Sequence, residues 1–139
     1  MVDWMIEVLS SYRMSEETFF KSVYFMDAYL KNKKTKLEVK DLHLIGVTAM
    51  FAAAKYEEIH PLKLAVVYEK IARKKFKKTE ILEMESEMIE ALEFKLESPS
   101  IYDIARHTME EMKLTFSEQS TKYLAKILLY LSKMVLFNT

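Results

Sequence analysis

A chain that offers one glycine, Gly46, and two prolines, Pro61 and Pro99, across 139 residues has little from which to build tight reversals. Two-residue hairpin loops rely on glycine, asparagine and aspartate at left-handed positions, so the composition argues against a many-turned all-β fold. Lysine, arginine, glutamate, leucine and methionine abound instead, and these residues favour an all-α chain. Half of the residues are hydrophobic, enough to bury a substantial core at the length of about one domain. The absence of cysteine rules out disulfides, zinc–thiolate sites and thiol catalysis. The 21 basic and 21 acidic residues cancel, so net charge gives no argument for nucleic acid. No apolar run reaches membrane-spanning length, and the N-terminus lacks a signal peptide's basic region, apolar core and cleavage site. A soluble, intracellular protein with no membrane contact is expected.

Periodicity predicts seven helices. The first covers residues 1–12, with Trp4, Ile6, Val8 and Leu9 among its apolar positions. Ser15 is the expected N-cap of the second, with Glu16 and Glu17 facing the positive end of its dipole. That helix runs to about residue 30 and buries Phe19, Val23, Met26 and Leu30, at helical spacing. KNKKTK, residues 31–36, is a solvated connection. The third helix, residues 38–59, is the expected centre, because only His43, Gly46 and Thr48 interrupt its apolar run between Leu42 and Ala54. Gly46, Ala49 and Ala53 share one face, where a crossing helix is expected to approach closely. Pro61 closes this helix. A fourth is expected over residues 62–73. A fifth covers 79–92, with Ile81, Leu82, Met88, Ile89 and Leu92 inward. Pro99 marks a break before a sixth helix opened by Ser100 and Asp103 and a seventh opened by Ser117.

Two charges stand out. Lys55 ends the apolar third helix, where it complements the dipole for about 0.3–1 kcal/mol. Glu85 lies within the amphipathic fifth. An ammonium donates to carbonyls and a carboxylate accepts from amides, so the two offer opposite hydrogen-bonding capacities to an outside main chain. Other chemistry finds less support. A single glycine forbids both G-x-G-x-x-G and the phosphate-binding P-loop. Glu57-x-x-His60 is half of a di-iron motif whose second half is missing, and Pro61 follows at once. His107 with Glu110 or Glu111 supplies too few ligands for a metal. The run Lys70, Arg73, Lys74, Lys75, Lys77 and Lys78 is followed directly by Glu80, Glu83, Glu85, Glu87 and Glu90. It reads as a solvated turn and not as a nucleic-acid surface. No cofactor, metal site or catalytic residue is expected.

The segments VDW (2–4), FMDAYL (25–30), LIGVTAMFAAAKYEEIHP (44–61) and ILEMESEMIEALEFKL (81–96) together resemble the cyclin box, with the A/B-type mitotic cyclins as the nearest pattern. The resemblance implies a cyclin-like domain over residues 1–97, in which a central apolar helix is ringed by four others. It also implies the first two helices of an incomplete second cyclin-like domain over 98–139. Residues 123–137 of the seventh helix are too apolar to stand exposed. A fragment of a longer protein is therefore expected, with cover by a partner or by self-association as the other reading.

The resemblance further implies a regulatory subunit, not an enzyme, that binds and activates a cyclin-dependent protein kinase in the nucleus and cytoplasm. Lys55 and Glu85 would grip the kinase main chain, over an apolar floor from Tyr56, Ile89, Phe94 and Leu96, with Glu57 beside them. Met1, Trp4, Glu7, Leu42 and His43 match a patch that docks basic-hydrophobic motifs of substrates and inhibitors. Asp27, Leu44 and Gly46 match structural positions. In the family Asp27 pairs with an arginine three positions before the residue matching Met1. If Asp27 is buried here without that partner, the cost is about 3–5 kcal/mol. Two departures stand out: one extra residue between Lys55 and Glu85, and Lys77 where threonine usually caps the fifth helix, a loss of about 1 kcal/mol. The alternatives are a cyclin-fold adaptor that binds peptides or nucleic acid without kinase activation, and a helical scaffold.

Overall fold

The computed structural model describes residues 1–33, 36–112 and 117–137. Lys34 and Thr35 of the expected solvated connection lie outside the described residues. Among the described residues every regular element is helical: α1 (Val2–Ser11), α2 (Glu16–Asn32), α3 (Val39–Glu57), α4 (Leu64–Val66), α5 (Lys78–Ala91), α6 (Ile101–Met112) and α7 (Glu118–Phe137). The chain divides into two compact units, Met1–Ser98 and Pro99–Thr139.

In the first unit α3 packs against α1, α2, α5 and the turn that follows α4. Every residue from Ile45 to Ala54 is buried, as a helix surrounded by others requires. Met5 and Leu9 of α1, Phe25 and Met26 of α2, and Ile81 and Met88 of α5 close over it. Burial of each large side chain contributes about 1.5–3 kcal/mol. At Gly46 the close neighbour is a side chain of the residue that caps α1. The atoms nearest to a Cβ there would be those of the Met1 side chain, with Sδ at 2.9 Å, so the glycine makes room for a flexible side chain. Thr48 is fully buried in this helix, and its Oγ1 has no hydrogen-bond partner. Thr48→Val keeps the shape and removes a desolvated hydroxyl, so it is expected to stabilise the fold by about 1 kcal/mol. A higher urea midpoint with an unchanged slope would show this, and a lower midpoint would contradict it.

The helix ends follow local chemistry. The Ser15 side chain accepts from Thr18 N–H at 3.3 Å. The Lys77 N–H donates to Glu80 Oε2 at 2.6 Å, so α5 keeps one half of a capping box despite the lysine. Three sequence expectations need correction. Leu82 is 41% exposed, because the inward stripe is Ile81, Glu85, Met88 and Leu92, at spacings of four, three and four, and Leu82 lies beside it. The fourth helix is short and widens at once into a π-helical turn, Val67–Ile71, in which Ala72 N–H reaches Val67 O at 2.8 Å. Asp27 is exposed and its carboxyl is not a stranded core charge. The protein packed near it raises its pKa, partly offset by Lys31 one turn on. The large penalty for an unpaired buried aspartate does not arise.

In the second unit α6 and α7 pack against each other. Ser100 and Asp103 form a reciprocal cap, with Ser100 N–H to Asp103 Oδ2 at 2.9 Å and Asp103 N–H to Ser100 Oγ at 3.1 Å. Ser117 Oγ accepts from Ser120 N–H at 3.3 Å at the start of α7. Tyr123, Ile127, Tyr130, Leu131, Met134 and Val135 leave an apolar face of α7 exposed. The side chain of Phe137 lies outside the described residues.

Candidate functional site

Lys55 lies in the last turn of α3 and Glu85 in the middle of α5, and packing of the two helices brings their charges together. Lys55 Nζ stands 2.5 Å from Glu85 Oε1 and 4.5 Å from the centre of the Phe51 ring, one turn earlier on α3. The lysine side chain is 44% exposed and the glutamate 10%. The expectation of one shared rim therefore holds in the structure, but the expectation that both charges reach outward does not. They close on each other, because the carboxylate occupies the inward stripe of α5 and needs a counter-charge there. The ammonium still has further N–H donors on its exposed side.

The proposed floor is assembled around a residue that sequence reasoning missed. Lys21 of α2, only 11% exposed, donates to Leu96 O at 3.0 Å, stands 3.6 Å from Glu57 Oε1 and lies 5.0 Å above the Tyr56 ring. Tyr56 donates to Glu97 Oε1 at 2.8 Å, and that bond, with burial and the Glu97 and Glu57 charges adding to it, raises the phenol pKa. Tyr24 OH donates to Lys95 O at 3.1 Å. The segment after α5 is thus strapped to α2 and α3, which puts Tyr56, Glu57 and Leu96 in one cluster. Ile89 is half-buried one turn beyond Glu85. Phe94 is 72% exposed and has φ 57, beside Glu93 with φ 51. The signal for Lys21 was present in the sequence: it is the one charge inside the apolar run FFKSVYF.

Of the residues expected to form the docking patch, Trp4 and His43 stack on each other. The rings of Trp4 and His43 stand 4.8 Å apart and those of His43 and Phe76 5.5 Å apart. A cleft of about 170 Å³ is lined by Trp4, His43, Ile71, Ala72, Arg73 and Lys75. Met1, Glu7 and Leu42 do not line it: the Met1 thioether lies over Gly46, Glu7 is exposed on α1, and Leu42 is half-buried. Leu44, expected to be structural, is half-buried as well. Burial, and then the Lys75 charge, lower the His43 pKa.

Glu58, just past α3, was also missed. Its Oε1 accepts from the Ser15 N–H at 2.6 Å and the Thr18 hydroxyl at 2.5 Å, so it ties the end of α3 to the start of α2. On α6, His107 Nε2 stands 3.4 Å from Glu111 Oε1, with both side chains exposed. Among the described residues no three metal-ligating side chains converge, and no helix is long and apolar enough to cross a membrane.

The family model for "Cyclin, N-terminal domain" matches residues 1–97. The chain is 33% identical over 132 residues to G2/mitotic-specific cyclin-B1 of Oryzias luzonensis, covering 95% of this chain and 31% of that protein. It is 36% identical over 107 residues to Cyclin-A3-2 of Arabidopsis thaliana, covering 76% and 28%. It is 30% identical over 136 residues to Cyclin-A2-4 of the same plant, covering 96% and 29%. A helical unit matched by this family over residues 1–97 defines the class. The chain belongs to the cyclin family. It spans about a third of the length of the curated relatives it matches.

Proposed function

We propose that this chain is the kinase-binding part of a cyclin, which docks on a cyclin-dependent protein kinase and orders its active site. The observation that carries the reading is the Lys55–Glu85 pair, with one charge exposed and one buried, beside half-buried Ile89 and exposed Phe94. In the free chain the two groups hold each other in position. On docking, a kinase carbonyl takes N–H groups of Lys55 and a kinase amide donates to Glu85. Each such charge-assisted bond contributes about 1.5–3 kcal/mol. Phe94 and the apolar surface nearby add burial against the kinase helix. Held inward, that helix supplies the glutamate of the ATP-binding ion pair. Catalysis then resides in the kinase, and this chain contributes the position of one of its helices.

The second unit is proposed to open a second cyclin-like domain, whose further helices would cover the apolar face of α7. The test of the main reading is kinase stimulation by the wild-type chain and by a Lys55→Ala/Glu85→Ala double variant. Loss of stimulation in a folded double variant is expected. Unchanged stimulation removes the mechanism, and capture of a kinase without stimulation would favour the adaptor reading.

A further inference from the structure

We propose that Lys21 of α2 is a positioning residue for kinase docking: it fixes the segment after α5 so that the Phe94 ring meets the partner already in place. That role rests on the kinase-binding reading above and deepens it, because it assigns the shape of the contact surface to a charge that is nearly enclosed.

Three donors of α2 run along the chain as it leaves α5. Asn32 Nδ2 donates to Ala91 O at 2.7 Å, Tyr24 OH to Lys95 O at 3.1 Å and Lys21 Nζ to Leu96 O at 3.0 Å. Earlier positions on α2 meet later carbonyls, so the helix holds this segment on both sides of Glu93 and Phe94. Lys21 alone of the three carries a charge, and it also stands 3.6 Å from Glu57 Oε1. In the same turn of α3, Lys55 pairs with Glu85 and Tyr56 donates to Glu97. Three successive residues of α3 thus reach α5, the segment beyond it and α2.

Between the held carbonyls, Glu93 and Phe94 adopt φ 51 and 57. Left-handed backbone is unfavourable for a residue with a Cβ and persists where the surrounding structure enforces it. Phe94 N–H donates to Ile89 O at 3.2 Å and Phe94 O accepts from Leu96 N–H at 3.0 Å, yet the residue is 72% exposed. Its backbone is tied while its ring stands clear of the core. A ring already held in one pose needs little further ordering on binding, which lowers the cost of association. Lys21 lies in the apolar run FFKSVYF, where an apolar side chain would pack without desolvating a charge. What the ammonium adds is a hold on the Leu96 carbonyl, which no apolar side chain can provide.

Capture of a cyclin-dependent kinase by the immobilised full chain is measured for wild type, Lys21→Met, Phe94→Ala and the two combined. Lys21→Met keeps an apolar stem and removes the ammonium. It is expected to weaken capture about tenfold and to speed amide exchange at Phe94 and Leu96 in the free chain. Phe94→Ala is expected to weaken capture by a similar factor, and adding Lys21→Met to it should cost less than about twofold more, because the lysine acts through that ring. Lys21→Arg retains the donors and should restore most of the capture. If Lys21→Met folds poorly, Lys21→Met/Glu57→Gln, read against Glu57→Gln alone, removes the stranded carboxylate and should show the same loss. Unchanged capture by the folded variant, or losses that simply add, would overturn the proposal. Should Phe94→Ala and Lys55→Ala weaken capture while Lys21→Met does not, only the role of Lys21 falls. Should neither of those two weaken it, the kinase-binding surface itself is misassigned and the role falls with it.

Discussion

Lys55→Ala and Glu85→Gln are each expected to weaken capture of the kinase by about tenfold to a hundredfold, the equivalent of one charge-assisted hydrogen bond lost. Their effects on the free chain should differ. Lys55 is largely solvated, and its removal strands a carboxylate that is only 10% exposed. An unmatched buried polar group costs about 1–3 kcal/mol, so Lys55→Ala also lowers the unfolding free energy. Glu85→Gln leaves an exposed lysine that water solvates, and its stability should change by less than half as much. Urea unfolding of each variant, run beside kinase capture by surface-immobilised chain, separates the two effects. If Lys55→Ala destabilises the fold yet binds kinase as well as wild type, the pair is only an internal brace and the proposed grip is wrong.

The second large effect concerns Glu58. This half-buried carboxylate caps α2 from the far end of α3, accepting from Ser15 N–H and the Thr18 hydroxyl. Hydrogen bonds to a charged group contribute about 1.5–3 kcal/mol each, and partial exposure reduces their sum. Glu58→Ala is therefore expected to cost about 2–4 kcal/mol, and each kcal/mol corresponds to about 4–8 °C in melting temperature for a unit of this size.

The same group gives a pH dependence of definite sign. Burial pushes its pKa up, but the bonds from Thr18 and Ser15 outweigh burial and leave it below the ordinary 4.5. A depressed folded-state pKa means that the stabilisation is complete above the unfolded value. It is lost as pH falls from near 4.5 through the lower folded value. Glu58→Gln should flatten that part of the acid unfolding profile. A wild-type profile and a Glu58→Gln profile that run parallel below pH 5 would contradict the assignment.

How far the sequence alone reaches depends on the range of each interaction. The apolar run from Leu42 to Ala54 identified the central helix, because a helix apolar on every side must be enclosed. Ser15, Ser100 and Ser117 marked helix starts correctly, since a cap is a contact across three residues. Glu85 stood out only as a charge within an amphipathic helix and was expected to reach outward; its place in the inward stripe with Ile81, Met88 and Leu92 came from the structure. Nothing local tells that Glu58 meets Ser15 across 43 residues, or that Lys21 holds the carbonyl of Leu96 across 75. The π-helical turn was equally invisible, because it is a backbone widening with no side-chain code of its own. The docking patch rests on another kind of reasoning. Its positions were carried over one by one from a resemblance, with no local pattern of their own to bring them together.

Arg13, Arg73, Lys74, Glu93 and Phe94 all sit in left-handed backbone, while the chain's one glycine lies within α3. Most proteins place glycine at such helix ends, where a Cβ crowds the following carbonyl. This chain has therefore kept large side chains where a small one would relax the backbone. Anyone wishing to turn it into a sturdier scaffold has an untapped reserve at Arg13, which ends α1 and is not among the residues proposed for kinase binding. At Phe94 the same gain in robustness would remove a ring that the proposed kinase contact uses.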